Sequence, residues 1–411
     1  MHANARSADS ILTVAWIAPD FPLEWLADVP EAIQQLPRQH PATWQQVLLS
    51  EFENDQSLRI HVIVLRKNLQ QNLSFTRNGV VFHVLATLGG LRAASLFWVD
   101  TIPILRVVRR IQPDLVHAWG TERGAALIAA RLGYPFLATI QGLLSWYAEL
   151  VPLGPYNRFI AFLERISLRR SLRITTESRF AAEYLKAKYP RLAVQQVEHA
   201  PNWLFHRIER RPQIQPARLI SVGTLGYRKG TDILLRAVDQ LVKDLPFELV
   251  LVGAVNEGSI HKIKATVSPE LWRRVVFKKS LLPAEVAKEL ASAAFLILPT
   301  RADTSPNAVK ESVVAGVPVV ASAIGGIPDY VFPEENGLLF PANDLAECTR
   351  AIRAACQHPL FGRGSVEATS LARNRDYLSP ARMAKNFLAA YQFVLNPGPG
   401  VVSQPSCRNR R

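Results

Sequence analysis

The sequence predicts an α/β protein of two domains facing a cleft, each a parallel sheet with helices on both faces. Three observations predict it: short apolar runs alternate with longer amphipathic segments, one proline-rich stretch interrupts that alternation, and the chain has 411 residues, enough for two or three domains of ordinary size. With 48% hydrophobic and 20% charged residues it is too apolar for disorder and too unbiased for a fibre. Forty-eight basic against 34 acidic side chains leave a net charge of +14, which makes polyanions or anionic surfaces expected neighbours without choosing among them. The three cysteines, Cys348, Cys356 and Cys407, lack C-x-x-C spacing. Neither a disulfide framework nor a structural zinc is expected, and a reducing compartment fits. The polar start MHANARSADS and the absence of any apolar run approaching a membrane span predict a cytoplasmic protein that is neither exported nor inserted.

The first-half strands are read at Ile11–Ala18, Arg59–Leu65, Val80–Leu85, Leu115–Trp119, Pro135–Ile140, Ile174–Thr176 and Val194–His199, with helices in most of the gaps. At residues 200–216 the texture becomes APNWLFHRIERRPQIQP, with three prolines and no periodicity, as in a linker. A second series follows at Leu219–Val222, Phe247–Val252, Val275–Phe277, Phe295–Leu298 and Val317–Ala321. Near the end Met383, Phe387, Leu388, Tyr391 and Leu395 recur at helical spacing and need a surface to pack on. The last residues, NPGPGVVSQPSCRNRR, read as a disordered basic tail.

Two segments carry chemistry. In LISVGTLGYRKGTDILLRAV, residues 219–238, a strand meets a turn with Gly223 and Gly226, then Lys229, Gly230 and a helix. Glycines admit an anion to the backbone amides, a helix start favours negative charge, and Lys229 adds a full positive charge. An ordinary βα turn with a solvated lysine accounts for the same residues equally well. In FLILPTRADTSPNAVKESVVAGVPVVASAIGGIPD, residues 295–329, Ser305 can cap a helix whose first position is Pro306, leaving amides near Asn307 and Ala308 to face an anion. Asn307 and Glu311 share a helix face, Gly325 and Gly326 permit close approach, and Asp303 stands eight positions before Glu311. A surface salt bridge with Lys310 or Arg301 is the competing account of Glu311. Such helix starts at the carboxyl edge of one parallel sheet form the place where doubly wound folds bind nucleotides.

In order and spacing these segments resemble the donor domain of retaining GT-B glycosyltransferases, specifically glycosyltransferase family 4. Val222, Gly223, Leu225, Lys229, Gly230 and Asp232 match the first family pattern, and Glu311, Ala315, Gly316, Pro318, Val319, Val320, Ala321, Gly325 and Gly326 the second. The resemblance implies a GT-B architecture: two Rossmann-like αβα domains facing a cleft, with the C-terminal helix crossing back to the first. It divides the chain into an acceptor-binding domain over 1–205, a linker over 206–217, a nucleotide-sugar-binding domain over 218–375, a crossover helix over 376–395 and the basic tail over 396–411. It implies that Lys229 binds the donor diphosphate, Glu311 the nucleotide ribose, and the Ser305–Ala308 turn the phosphate or sugar. Asp303 falls where the family's first glutamate contacts sugar hydroxyls, and is shorter by about 1.5 Å. Thr224 stands where the family carries a diphosphate-clamping arginine, so Arg228 or Arg301 is expected to supply that cation.

The first half matches more loosely. In residues 111–142, His117 ends a strand and Gln141-Gly142 stand where many members have His-Gly. Gln141 cannot act as a base. In a retaining transfer the departing phosphate oxygen can take the acceptor proton, so none is required. His117, Trp119, Glu122, Gln141 and Gly142 are the expected acceptor contacts, with Thr121 on the same edge; a satisfied strand-end histidine is the other reading of His117. No D-x-D pair sits at a strand end, so metal-independent transfer is expected, with no cofactor beyond a UDP- or GDP-sugar co-substrate.

The implied function is retaining glycosyl transfer to a carbohydrate or lipid-linked saccharide, in cell-surface polysaccharide synthesis. An epimerase or phosphorylase on the same architecture, a non-catalytic sugar-nucleotide binder and a basic nucleic-acid binder are the alternatives. A phosphorylase needs a pyridoxal phosphate lysine context that is not found, and nucleic acid is not an expected partner, because the aromatics lie within strand and helix patterns. Arg158, Arg165 and Arg169 fall on one face of the helix read in residues 156–173, with Phe159, Phe162, Leu163 and Ile166 as an apolar stripe. A core-facing helix with a solvated basic face and a peripheral helix at the inner face of the membrane, on anionic lipid, both fit.

Overall fold

The computed structural model describes residues 11–38, 42–254, 257–279 and 281–396. The first sheet has eight strands: β1 (Leu12–Ile17), β2 (Leu58–Arg66), β3 (Leu73–Arg77), β4 (Val80–Ala86), β5 (Leu115–Trp119), β6 (Phe136–Thr139), β7 (Arg173–Thr176) and β8 (Ala193–Gln196). Their order is β3-β4-β2-β1-β5-β6-β7-β8, parallel throughout except for the β3–β4 pair. The second sheet, parallel throughout, comprises β9 (Ala217–Val222), β10 (Phe247–Val252), β11 (Val275–Lys278), β12 (Phe295–Leu298), β13 (Val319–Ser322) and β14 (Gly337–Phe340), ordered β11-β10-β9-β12-β13-β14.

Central strands such as β5 and β12 are buried at every residue, because helices cover both faces of each sheet and leave no polar side to alternate with. The helices used below are α1 (Thr43–Phe52), α2 (Trp98–Ile111), α3 (Ala125–Leu132), α4 (Leu144–Leu150), α5 (Pro155–Arg170), α6 (Thr231–Asp239), α7 (Asn307–Ala315) and α8 (Pro380–Leu395). On one face of the first sheet Ile104 of α2, Ala126 and Ile128 of α3, and Ile160, Leu163 and Leu168 of α5 share a core. On the other, α1 and α8 pack together over Trp16, Leu115 and Trp119.

The last helix therefore returns to the first domain, as the family resemblance implied, and its periodic apolar residues find there the surface they needed. Met383, Phe387 and Tyr391 are fully buried there, with Leu388 and Leu395 at the margin. Two strands escape the sequence reading. β3 is an edge strand of alternating exposure, and β14 is four residues long at the opposite sheet's edge, so neither shows a buried apolar run. The stripe expected on α5 divides: Leu163 is core and Ile166 half-buried, whereas Phe159 and Phe162 are exposed. The basic tail, Asn396 apart, and Cys407 lie outside the described residues. Among the described residues no helix is long and apolar enough to cross a membrane.

Candidate active site

The order of the second sheet reverses between β9 and β12, and the segments leaving these two strands build the site. Gly223 leaves β9 at φ +137°, and Gly253 passes over it so closely that a Cβ there would stand 2.0 Å from the Gly223 carbonyl oxygen. Gly230 caps α6 at φ +71°, where a Cβ would stand 1.8 Å from the Pro299 carbonyl oxygen. Only glycine allows these contacts, and they hold the intervening turn against the neighbouring strand end. The side of Gly223 where a Cβ would project has nothing nearer than Lys229 Cε at 3.6 Å.

Lys229 Nζ lies 2.5 Å from Asp303 Oδ2, and Arg228 Nη1 lies 3.2 Å from the same oxygen. Two cations thus converge on one carboxylate. Burial would raise the Asp303 pKa, but Lys229 and then Arg228 outweigh it and hold the group below the usual range. Burial lowers the Lys229 ammonium, with Asp303 recovering part of the shift. Thr224 is exposed and carries no charge.

Of the two arginines expected to replace the missing cation, only Arg228 is at the carboxylate. Arg301 grips both oxygens of Asp232 at 2.7 Å, donates to Asn343 and the Tyr227 carbonyl, and stacks 3.8 Å over the Tyr227 ring. It fastens the β12 loop to α6. Arg301→Ala is therefore expected to cost on the order of 3 kcal/mol of stability, by stranding a half-buried carboxylate. Arg228→Ala is expected to leave the melting temperature near the parent value while weakening UDP or GDP binding about tenfold or more, as for other charge-assisted hydrogen bonds. Thermal denaturation and titration calorimetry read the two effects separately, and the reverse pattern would reassign both arginines.

α7 begins one position later than expected. Pro306 is its cap residue rather than its first helical residue, and no side chain caps it; Ser305 Oγ instead lies 3.3 Å from the Tyr330 hydroxyl. The backbone amides of Asn307 and Ala308 have no partner among the described residues, as a helix start requires when no cap is present. The Gly325-Gly326 pair, expected as donor contacts, packs closely against the chain on its Cβ side. A Cβ on Gly325 would stand 1.8 Å from the Asp303 carbonyl oxygen, and one on Gly326 2.5 Å from that of Thr304. These glycines seat the Asp303–Ser305 loop, with Gly326 buried and Gly325 half-buried.

Glu311 enters into neither of the ion pairs that competed for it. Lys310 Nζ is 3.0 Å from Glu177, and Arg301 is taken by Asp232. The Glu311 side chain has no hydrogen-bond partner or ion pair among the described residues, and burial, offset in part by Lys310, pushes its carboxyl up to about 8. Its helix joins it to the loop that carries Asp303, but the two side chains do not touch.

On the first-domain side, His117 and Trp119 are corrected. His117 is fully buried, with Nδ1 2.8 Å from the Tyr391 hydroxyl and Nε2 2.6 Å from Thr139 Oγ1. Trp16 Nε1 donates to Tyr391, which leaves the tyrosine proton for His117 Nδ1 and places the imidazole proton on Nε2. Burial and then His199 hold this histidine well below its usual pKa. Trp119 packs on Trp16, His117 and Phe387. Both residues are buried and join the domain to α8.

Glu122, Gln141 and Gly142 do lie together. Glu122 Oε2 accepts from the Thr121 amide at 3.0 Å, and its carboxylate occupies a notch that a Cβ on Gly120 or Gly142 would fill. Burial and the neighbouring Glu164 push Glu122 up to about 8. Glu164 accepts from Thr121 Oγ1 and from the amides of Leu144 and Ser145, so it caps α4. The Gln141 Nε2 is buried without a partner.

The structure also joins the two domains through residues that the sequence did not single out. Tyr147 follows Gly142 on α4; its hydroxyl is 3.3 Å from Thr304 Oγ1, and the Arg228 guanidinium lies 5.2 Å from its ring. Glu177, at the end of β7, takes Lys310 Nζ at 3.0 Å and Thr304 Oγ1 at 3.3 Å. A polar strand end followed by a serine was the only trace of Glu177 in the sequence.

Residues 216–358 match a family model described as glycosyl transferases group 1, and residues 54–204 match glycosyltransferase family 4. A glycogen synthase of Mycobacterium tuberculosis is 25% identical over 301 residues, 71% of this chain and 72% of that protein. A sucrose-phosphate synthase structure from Thermosynechococcus elongatus aligns with a TM-score of 0.75 and 16% identity, over 93% of this chain and 98% of that one. An Anabaena protein crystallised with UDP-glucose aligns with a TM-score of 0.68 and 13% identity, over 93% and 99%. At such identities the two structures show a common fold.

Proposed function

The chain belongs to the glycosyltransferases, family 4 in its first half and group 1 in its second, and on that footing we propose that it transfers a sugar from a nucleotide-sugar donor to a saccharide acceptor with retention of anomeric configuration. The observation that carries the reading is the convergence of Lys229 and Arg228 on one carboxylate oxygen, beside the open side of Gly223. Asp303 holds the two cations where a donor diphosphate would take them over. Released, its carboxylate is available to sugar hydroxyls. Glu311, a carboxyl without a partner, suits the ribose, and the Asn307 and Ala308 amides suit phosphate.

Negative charge grows on the departing nucleoside diphosphate as its bond to the anomeric carbon breaks. Fixed cations screened from water stabilise that charge most. The acceptor oxygen bonds to the same carbon on the same face, and its proton passes to the leaving phosphate oxygen. Glu122, Gln141 and Gly142 stand on the acceptor side, separated from the cations by Tyr147. We assign the domains as the sequence divides them, acceptor in the first and donor in the second. The acceptor we propose is a carbohydrate or lipid-linked saccharide of cell-surface polysaccharide synthesis on the cytoplasmic side of the membrane. A UDP- or GDP-sugar is the donor, and no metal or other cofactor takes part. The reason for expecting metal independence is that no D-x-D carboxylate pair stands at a strand end of this chain.

The test is a panel of UDP-, GDP- and ADP-sugars assayed for nucleoside diphosphate release, with product configuration read by NMR. Turnover is expected to survive EDTA. Loss in EDTA with recovery in Mg²⁺ or Mn²⁺ would end the metal-independent reading, and an inverted product the retaining one.

A further inference from the structure

Helices α2, α3 and α5 cover one face of the first sheet, with α3 packed against both of the others. Each leads into the start of a parallel strand, β5, β6 and β7 respectively. The three helices therefore run in the same direction, with their N-terminal halves at the end of the sheet that borders the cleft. In those halves Trp98 and Ile102 of α2 and Tyr156, Phe159 and Phe162 of α5 are 39–59% exposed. Most arginines lie in the C-terminal halves: Arg106, Arg109 and Arg110 on α2 and Arg169 and Arg170 on α5, all exposed, with half-buried Arg165 on α5 and Arg131 between them on α3; exposed Arg158 alone stands within the aromatic half of α5. Arg131 lies 4.4 Å from the Trp98 ring and is close enough to Arg170 for the two to repel.

Carboxylates do not offset this charge. The acids of the three helices are Asp100 and Glu164, both buried; Asp100 is bonded to Arg92, and Glu164 caps α4. An apolar band backed by an arginine band with no exposed acid matches a surface whose interior is hydrocarbon and whose rim is phosphate. A second copy of the chain would set arginines against arginines, and a nucleic acid would leave the aromatic band without a role.

We propose that this three-helix face is the surface by which the protein docks on an anionic lipid bilayer, with aromatic side chains at headgroup depth and arginines on lipid phosphates. The apolar band lies at the cleft end, so docking turns the acceptor side of the site toward the membrane. The proposal goes beyond the transfer reading and depends on it only for what docking would serve.

Co-sedimentation with phosphatidylcholine vesicles and with mixed phosphatidylglycerol–phosphatidylcholine vesicles tests it. Binding is expected to the mixed vesicles alone and to weaken as salt rises. Arg169→Gln with Arg170→Gln should weaken it roughly thirtyfold, the effect of two lipid-facing charges. Phe159→Ser with Phe162→Ser should weaken it at least tenfold. All four side chains lie outside the donor and acceptor groups, so nucleoside diphosphate release without vesicles should stay at the parent rate in both variants. Equal binding to neutral vesicles, binding that neither variant alters, or self-association abolished by the same substitutions would each overturn the proposal, and none of these bears on whether transfer occurs.

Discussion

Lys229→Ala is expected to lower turnover by about 10²- to 10³-fold, the loss that follows removal of one positioned donor from a site where transition-state charge develops. The melting temperature should move little. Asp303 keeps Arg228 Nη1 at 3.2 Å and the Ser305 amide at 3.3 Å, so the substitution strands no buried charge. Calorimetry with UDP and GDP should show weaker binding of the nucleoside diphosphate than in the parent chain, because the lost ammonium is one of the two cations that Asp303 hands over. Unchanged nucleotide affinity alongside the rate loss would place Lys229 on the sugar instead. Unchanged affinity and unchanged rate would remove the donor site from this sheet edge.

Glu311→Gln should separate stability from function in a pH-dependent way. Burial pushes the Glu311 carboxyl up to about 8 in the folded chain, against 4.5 for the free group. Between those values the folded state holds a proton that the unfolded state has released. Stability from this group is therefore full below about pH 4.5, falls as pH rises, and levels off above about pH 8. Glutamine cannot ionise and has no such slope. The variant should match the parent near pH 4.5 and melt several degrees higher at pH 8, as expected of a chain relieved of a buried ionisation. Donor affinity measured above about pH 8, where the carboxyl is ionised, should meanwhile fall about tenfold to a hundredfold, the effect of losing a hydrogen bond to a charged group. Parallel melting curves across this pH range would show that the carboxyl is not desolvated, and retained affinity would take the ribose from it.

The fold was legible because its signal is redundant. Most central strands are short apolar runs such as FELVLV and FLIL, and losing one or two such cues, as with β3 and β14, leaves the order of the rest unchanged. The turn after β9 was legible for a related reason. Gly223, Gly230 and Lys229 are set by backbone geometry and a single charge within one turn, so their spacing in the chain is their spacing in the fold. The first-domain side was less so. His117 and Trp119 stand at a strand end, as a ligand contact would, but whether a strand end meets solvent or another helix depends on α8, which is 274 residues beyond His117 at the point of contact. The Glu177–Lys310 pair was hidden for the same reason, since its members come from different domains and local pattern carries nothing about which charges will meet. Gly325 and Gly326 show the opposite failure. Close backbone approach was read correctly, and the partner proved to be the loop beside Asp303.

The position of α8 bears on how the molecule is made. During synthesis the first two hundred residues emerge with an apolar trough along one side of their sheet, flanked by α1 and floored by Trp16, Leu115 and Trp119. Among the described residues, nothing in that portion of the chain fills it. The filler arrives only with Met383, Phe387 and Tyr391, after the other lobe has left the ribosome. The lobe that is translated first is thus completed last, and the two halves enclosing the cleft mature as a single unit.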